Sequence, residues 1–134
     1  MLTIQLEKLA YIIEKAREFD AEAAPVNENN RSDGDDEDIA EILEETRANP
    51  TYQELMGAIE SLNDDERDEI VALTWLGRGD YSKGEWRRAL AAAHERHNGR
   101  EAAYLAGTPL LADYLEEAVS QLGYSLEEFE IDRL

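Results

Sequence analysis

The chain's two histidines, His94 and His97, stand three positions apart in the run H-E-R-H. On a helix that spacing puts both imidazoles near one face, where two nitrogens could hold a metal ion or share a proton. The metalloprotease signature H-E-x-x-H needs its histidines four apart, and here the second arrives one residue early. A di-iron bundle needs Glu-x-x-His on two helices, and the residues three before these histidines are Ala91 and His94. Metal-dependent chemistry through His94, His97 and nearby carboxylates is therefore the weakest of three functional readings. The plainer account makes His97 a helix-end residue favoured by the macrodipole and His94 part of a surface stripe.

A second constellation lies between Trp75 and Trp86, where Gly77-Arg78-Gly79-Asp80 forms a glycine-punctuated turn. Set in calcium-loop register with Glu85 as the twelfth position, Gly79, Tyr81 and Ser82 fall on the sixth, eighth and ninth. Thr74, Leu76 and Arg78 then occupy the first, third and fifth, where calcium needs oxygen ligands and Arg78 would bring positive charge. The acidic run near Asp33-Gly34 fails as well, placing Arg31 third and Ala40 twelfth. Arg78-Gly79-Asp80 also matches a cell-adhesion tripeptide, a match that three residues meet by chance. Its structural reading is a sharp turn in which Asp80 accepts backbone hydrogen bonds and Arg78 pairs with an acidic helix. Its functional reading gives Arg78 to a partner.

Residues 77–100 hold six basic residues and three acidic ones, a net of +3 in a chain of −19. Lys83, Arg87, His94 and Asn98 fall along one flank of a helix there. That flank either packs against the protein's own acidic helices or forms a docking strip for an acidic partner. The candidate partner-binding set is thus Arg78, Asp80, Lys83, Arg87 and His94. No serine sits in G-x-S-x-G and no glycine-rich loop resembles a phosphate cradle, so neither a cofactor nor an enzymatic reaction is expected.

These groups must be positioned by helices, since no segment alternates as a strand does. Residues 3–20 form a helix capped by Thr3, with Leu6, Leu9, Ile13 and Ala16 inward; Ile4 and Tyr11 fall outside and mark at most a weak homodimer contact. Residues 21–37 combine proline, glycine, asparagine and dense acid, and read as a flexible linker or loop. A helix over 38–48 buries Ile39, Ile42, Leu43 and Thr46 and stops before Asn49-Pro50. Thr51 and Glu54 box the next helix, whose inner face carries Tyr52, Leu55, Met56, Ile59 and Leu62. Asn63 caps a helix over about 64–77 that is apolar nearly all round from Ile70 to Leu76, and so belongs at the centre; Gly77 closes it. Ser82 and Glu85 open a fifth helix with Trp86, Ala89, Leu90, Ala93 and His97 inward. A short turn at 100–106 precedes a helix that Thr108 caps with Pro109 at its first position; its face is Leu111, Tyr114, Leu115, Ala118, Val119 and Leu122. The expected core is Ile70, Leu73, Trp75, Leu76, Trp86, Leu90, Leu111, Tyr114 and Leu115.

The expectation is one all-α domain over 1–134: a bundle of six or seven short helices around a central apolar one. At 15.2 kDa and 43% hydrophobic residues the chain can bury about two thirds of its unfolded surface. Thirty-two acidic residues against 13 basic repel phosphate backbones, so direct nucleic-acid binding is disfavoured. The absence of cysteine excludes disulfides, thiolate metal sites and cysteine catalysis. No apolar run approaches a membrane span, and the amphipathic start carries Glu7, unlike a signal peptide. A cytoplasmic location is the default expectation.

The blocks L-N-D-D-E-R-D-E-I-V-A-L-T-W-L-G-R-G-D-Y at 62–81 and Y-L-A-G-T-P-L-L-A-D-Y-L-E-E at 104–117 resemble a bacterial family known only as domain of unknown function 3775. The resemblance covers about residues 60–123 and leaves out the acidic linker. It implies a small bacterial protein and supplies no activity, cofactor or catalytic residue. The favoured expectation is a non-catalytic interaction or regulatory module with an unidentified protein partner. An acidic nucleic-acid mimic, motivated by the charge of −19, is the first alternative.

Overall fold

A computed structural model describes residues 2–22 and 36–130, and every element among them is helical. In order they are α1 (Leu6–Glu22), α2 (Asp36–Ala48), α3 (Pro50–Glu60), α4 (Asp64–Arg78), a 3-10 turn (Lys83–Glu85), α5 (Trp86–Glu95), α6 (Glu101–Ala106), α7 (Leu111–Gln121) and α8 (Glu127–Glu130). The expected linker at 21–37 is helical at both ends, since α1 runs through Glu22 and α2 starts at Asp36. Residues 23–35, and the side chains of Ile39, Ile42 and Leu43, lie outside the described residues; Thr46 is half-buried.

α4 is the centre. Its Asn63 cap accepts the Glu66 N–H at 2.8 Å while the Glu66 carboxylate takes the Asn63 N–H at 2.9 Å. Three acids in the first turn suit the positive end of the helix dipole. From Ile70 to Leu76 no residue is more than 6% exposed, because α5, α6 and α7 all pack against this helix. Thr74 joins that core without an orphaned hydroxyl, donating to the Ile70 carbonyl at 2.8 Å. Leu111 and Leu115 from α7 and Trp86 from α5 are buried with it. Leu90 and Tyr114, expected in the core, are only half-buried. At Tyr114 it is the main chain that meets α4, at Gly77.

That contact corrects the role of Gly77. It does not end α4; the helix runs to Arg78, and Gly79 at φ 96° is the left-handed cap, its N–H reaching the Trp75 and Leu76 carbonyls. A Cβ on Gly77 would lie 1.8 Å from the Tyr114 carbonyl oxygen. Glycine is present so that α4 and α7 can touch backbone to backbone.

In two of the other departures from the sequence reading, at Thr3 and Thr51, a distant side chain outbids a local cap. α1 starts at Leu6, and Thr3 does not cap it: the Thr3 and Ile4 N–H groups donate to the buried Glu69 carboxylate at 2.7 and 2.8 Å. This draws Ile4 into the core at 2% exposure, while Tyr11 stays 41% exposed, so the dimer surface inferred from the pair reduces to Tyr11. α3 is capped by Asn49, with Pro50 at its first position, instead of by Thr51 and Glu54. The Thr51 hydroxyl donates to Glu22 at 2.9 Å, and Glu54 pairs with Lys15 at 2.7 Å. α7 opens at Leu111 after Leu110 adopts φ 63°, and the Thr108 hydroxyl donates back to the Tyr104 carbonyl. α5 ends at Glu95, so His97 lies beyond it, while Gly123 follows α7 as expected, at φ 89°.

Two glycine substitutions should therefore move stability in opposite directions. Gly77→Ala forces α4 and α7 apart and should cost at least about 3 kcal/mol, the upper range for overpacking. Gly57→Ala, in α3 with nothing within 4 Å of the new methyl, should stabilise by about 1 kcal/mol. Urea unfolding of both variants checks the pair.

Candidate functional site

The turn that leaves α4 gathers most of the charge-bearing groups. Arg78, the last residue of α4, places Nε and Nη2 on one Asp80 carboxylate oxygen at 2.8 and 2.6 Å. The Asp80 hydrogen bond first, with the neighbouring Tyr104 hydroxyl adding to it, holds the guanidinium even more firmly protonated than usual. The expected pairing of Arg78 with a separate acidic helix is thus replaced by a pair inside the turn. Trp75 Nε1–H donates to the same Tyr104 hydroxyl at 3.1 Å. The Tyr81 ring stacks on Trp75 with centroids 6.0 Å apart, and the Arg96 guanidinium lies 5.4 Å from the Trp75 ring centre.

Glu85 reaches back to the Ser82 N–H and hydroxyl at 2.9 and 3.1 Å, as the expected capping box requires, but it closes a 3-10 turn from which α5 then starts at Trp86. Those two bonds, the backbone one first, lower the Glu85 pKa, and Arg88 adds an ion pair at 3.1 Å. Trp75, Arg78, Asp80, Tyr81, Glu85, Arg88 and Arg96 line a surface hollow of about 340 Å³.

Of the five residues assigned to partner binding, the structure brings Arg78 and Asp80 together in this hollow. Lys83 and Arg87 are exposed beside it and make no ion pair among the described residues. His94 is turned elsewhere. Its Nδ1 lies 3.0 Å from Asp68 Oδ2, while His97 Nδ1 lies 2.9 Å from Asp68 Oδ1. One carboxylate on α4, buried at 4% exposure, thus grips both imidazoles.

His97 has two further acidic neighbours, Asp64 at 3.4 Å from Nε2 and Glu101 at 3.4 Å from Nδ1. The Asp68 hydrogen bond, helped by the Glu101, Asp68 and Asp64 charges, raises its pKa above 6.5. The Glu101 oxygen facing it is buried without a hydrogen bond among the described residues, so a charged imidazole is what compensates it.

Asp68 and Glu101 are the residues that sequence reasoning missed. Asp64 and Asp68 sit i,i+4 on one helix face, which gives a local hint, but nothing local pairs them with histidines at the end of α5 and just past it. Chemically the cluster is a carboxylate–imidazole relay without a reactant. No hydroxyl is hydrogen-bonded to either imidazole among the described residues. Among those residues no three His, Asp or Glu side chains are arranged to hold a metal ion. No helix among them is long and apolar enough to cross a membrane.

Residues 52–124 match the family described as Protein of unknown function (DUF3775), and the chain belongs to that family. The match begins early in α3 and ends after α7, so it takes in the turn, the hollow and the Asp68 cluster. No curated protein and no solved structure matches the chain.

The Asp68 cluster should show in the pH dependence of stability. A histidine whose pKa is raised by folding contributes stability that is complete below its unfolded value and is lost as pH rises through the folded one. Stability should therefore decline from about pH 6.5 upward through that raised value, and Asp68→Asn should flatten the decline. An NMR titration placing the His97 midpoint at or below about 6.5 would contradict the geometry.

Proposed function

We propose that this DUF3775 member is a non-catalytic interaction module that docks an acidic protein partner. Its contact surface is the Arg78–Asp80 turn together with the basic flank of α5. One observation carries this reading. In a chain with 32 acidic residues and 13 basic ones, Lys83 and Arg87 stand exposed on that flank with no ion pair among the described residues. Surface cations in so acidic a chain have carboxylates available everywhere, and a strip that leaves them unmatched suits charges supplied by another molecule.

The pairing of both histidines with Asp68 supports the same reading. His94 and His97 both direct Nδ1 to Asp68, and no hydroxyl is hydrogen-bonded to either ring among the described residues. The net charge of −19 disfavours a nucleic acid as that partner.

Affinity capture from the source cells tests the surface. The wild-type chain and an Arg78→Ala, Arg87→Ala double variant are compared after thermal unfolding shows that both fold. Recovery of the specific partner should fall at least about tenfold, since each lost rim charge contributes on the order of 1 kcal/mol. Equal recovery by both proteins would retire this surface.

A further inference from the structure

The hollow beside the turn has an excess of hydrogen-bond donors. Arg78 uses Nε and Nη2 on Asp80, and Arg88 uses Nη1 on Glu85. Arg96 makes no ion pair among the described residues and rests over the Trp75 face. A guanidinium carries five N–H donors in a rigid fork, so all three arginines keep N–H groups that these bonds do not use. Two carboxylates against three guanidiniums leave the lining one positive charge in excess. The volume of about 340 Å³ is at the small end for ligand sites and fits a compact group.

Resting on the interaction reading above, we propose that this hollow binds a phosphoryl dianion, carried on a phosphorylated side chain of the partner or on a free phosphate monoester. An incoming carboxylate would have to compete with Asp80 and Glu85, which carry the same charge and are already tethered in place. A phosphoryl group differs in kind: it brings about −1.5 to −2 charges and three acceptor oxygens at neutral pH. It can engage Arg96 and the unused N–H groups of Arg78 and Arg88 while both internal pairs persist. The aromatic floor then serves geometry: Trp75 holds Arg96 by its ring face, and the Tyr104 hydroxyl fixes the indole edge. The overall −19 opposes any anion at long range, but that field is screened beyond roughly 8 Å at physiological salt, whereas contacts inside the hollow are not.

The test uses the full chain, labelled with nitrogen-15, at constant ionic strength near pH 7.5. Its two tryptophans provide separate indole signals, one in the hollow and one in the core. Inorganic phosphate should shift the Trp75 signal saturably with a dissociation constant of about 10 mM or tighter, and leave that of Trp86 in place. Arg96→Ala should weaken binding at least about tenfold, and Lys8→Ala, remote on α1, should leave it unchanged. Phosphoserine and a short phosphoserine peptide distinguish the sources: tighter binding of the peptide assigns the group to a partner protein, and equal binding assigns it to a free monoester. No saturable shift, or a shift indifferent to Arg96→Ala, overturns the proposal. A peptide with glutamate in place of phosphoserine that binds equally well also overturns it, yet leaves acidic docking intact. The docking surface itself fails only through the Arg78→Ala, Arg87→Ala capture experiment.

Discussion

α4 carries Glu66, Asp68 and Glu69 into the interior in its first two turns, and the rest of the structure answers to that burden. A carboxylate without a partner in low dielectric costs several kcal/mol, so each must be met by donors from elsewhere in the chain. Glu66 takes the Asn63 N–H and lies 3.9 Å from Lys8. Asp68 takes both histidines, and Glu69 takes the main chain ahead of α1. Through these three side chains the central helix is tied to α1, to its own start and to the segment after α5. Apolar packing supplies the bulk of the stabilisation, and the carboxylates determine which peripheral segments can lie against it.

What was legible in the sequence follows from that division. Several local signals were read correctly: the Asn63–Glu66 box, the apolar run Ile70–Leu76, the break at Asn49-Pro50 and the glycine after α7 all stand in the structure, whereas the local Thr108 cap does not. Wherever the deciding partner lay far along the chain, local rules misassigned the residue. Thr51 looks like a cap until Glu22 is seen to hold it, and Ile4 looks exposed until Glu69 is seen to draw it in. Gly77 is the sharpest case. Its position after an apolar run reads as a helix end, yet its purpose lies in the Tyr114 main chain, which no local pattern points to.

The candidate site divides along the same line. Arg78 and Asp80, two residues apart, could be placed together from the turn alone. Arg96 and Tyr104 could not, because they reach Trp75 only once α5 and α6 have folded back against α4. The hollow is therefore a tertiary object built around one indole, with basic groups contributed from the end of α4, from α5 and from the segment beyond it. Positive charge is held there by ring face and hydroxyl as well as by carboxylate, which keeps some of it presented outward in a chain rich in acid.

The grip of Glu69 on residues 3 and 4 acts on amide hydrogens, and the Tyr124 hydroxyl likewise receives the Leu2 N–H at 3.1 Å. The recognition is thus blind to the side chain at position 3, which faces solvent. Substitution there should be tolerated for almost every amino acid. Proline is the exception, since an imide has no hydrogen to give and would take the Thr3 donor from one oxygen of a buried carboxylate. The lead-in to α1 behaves like a peptide bound by its own protein, held by its shape and its backbone.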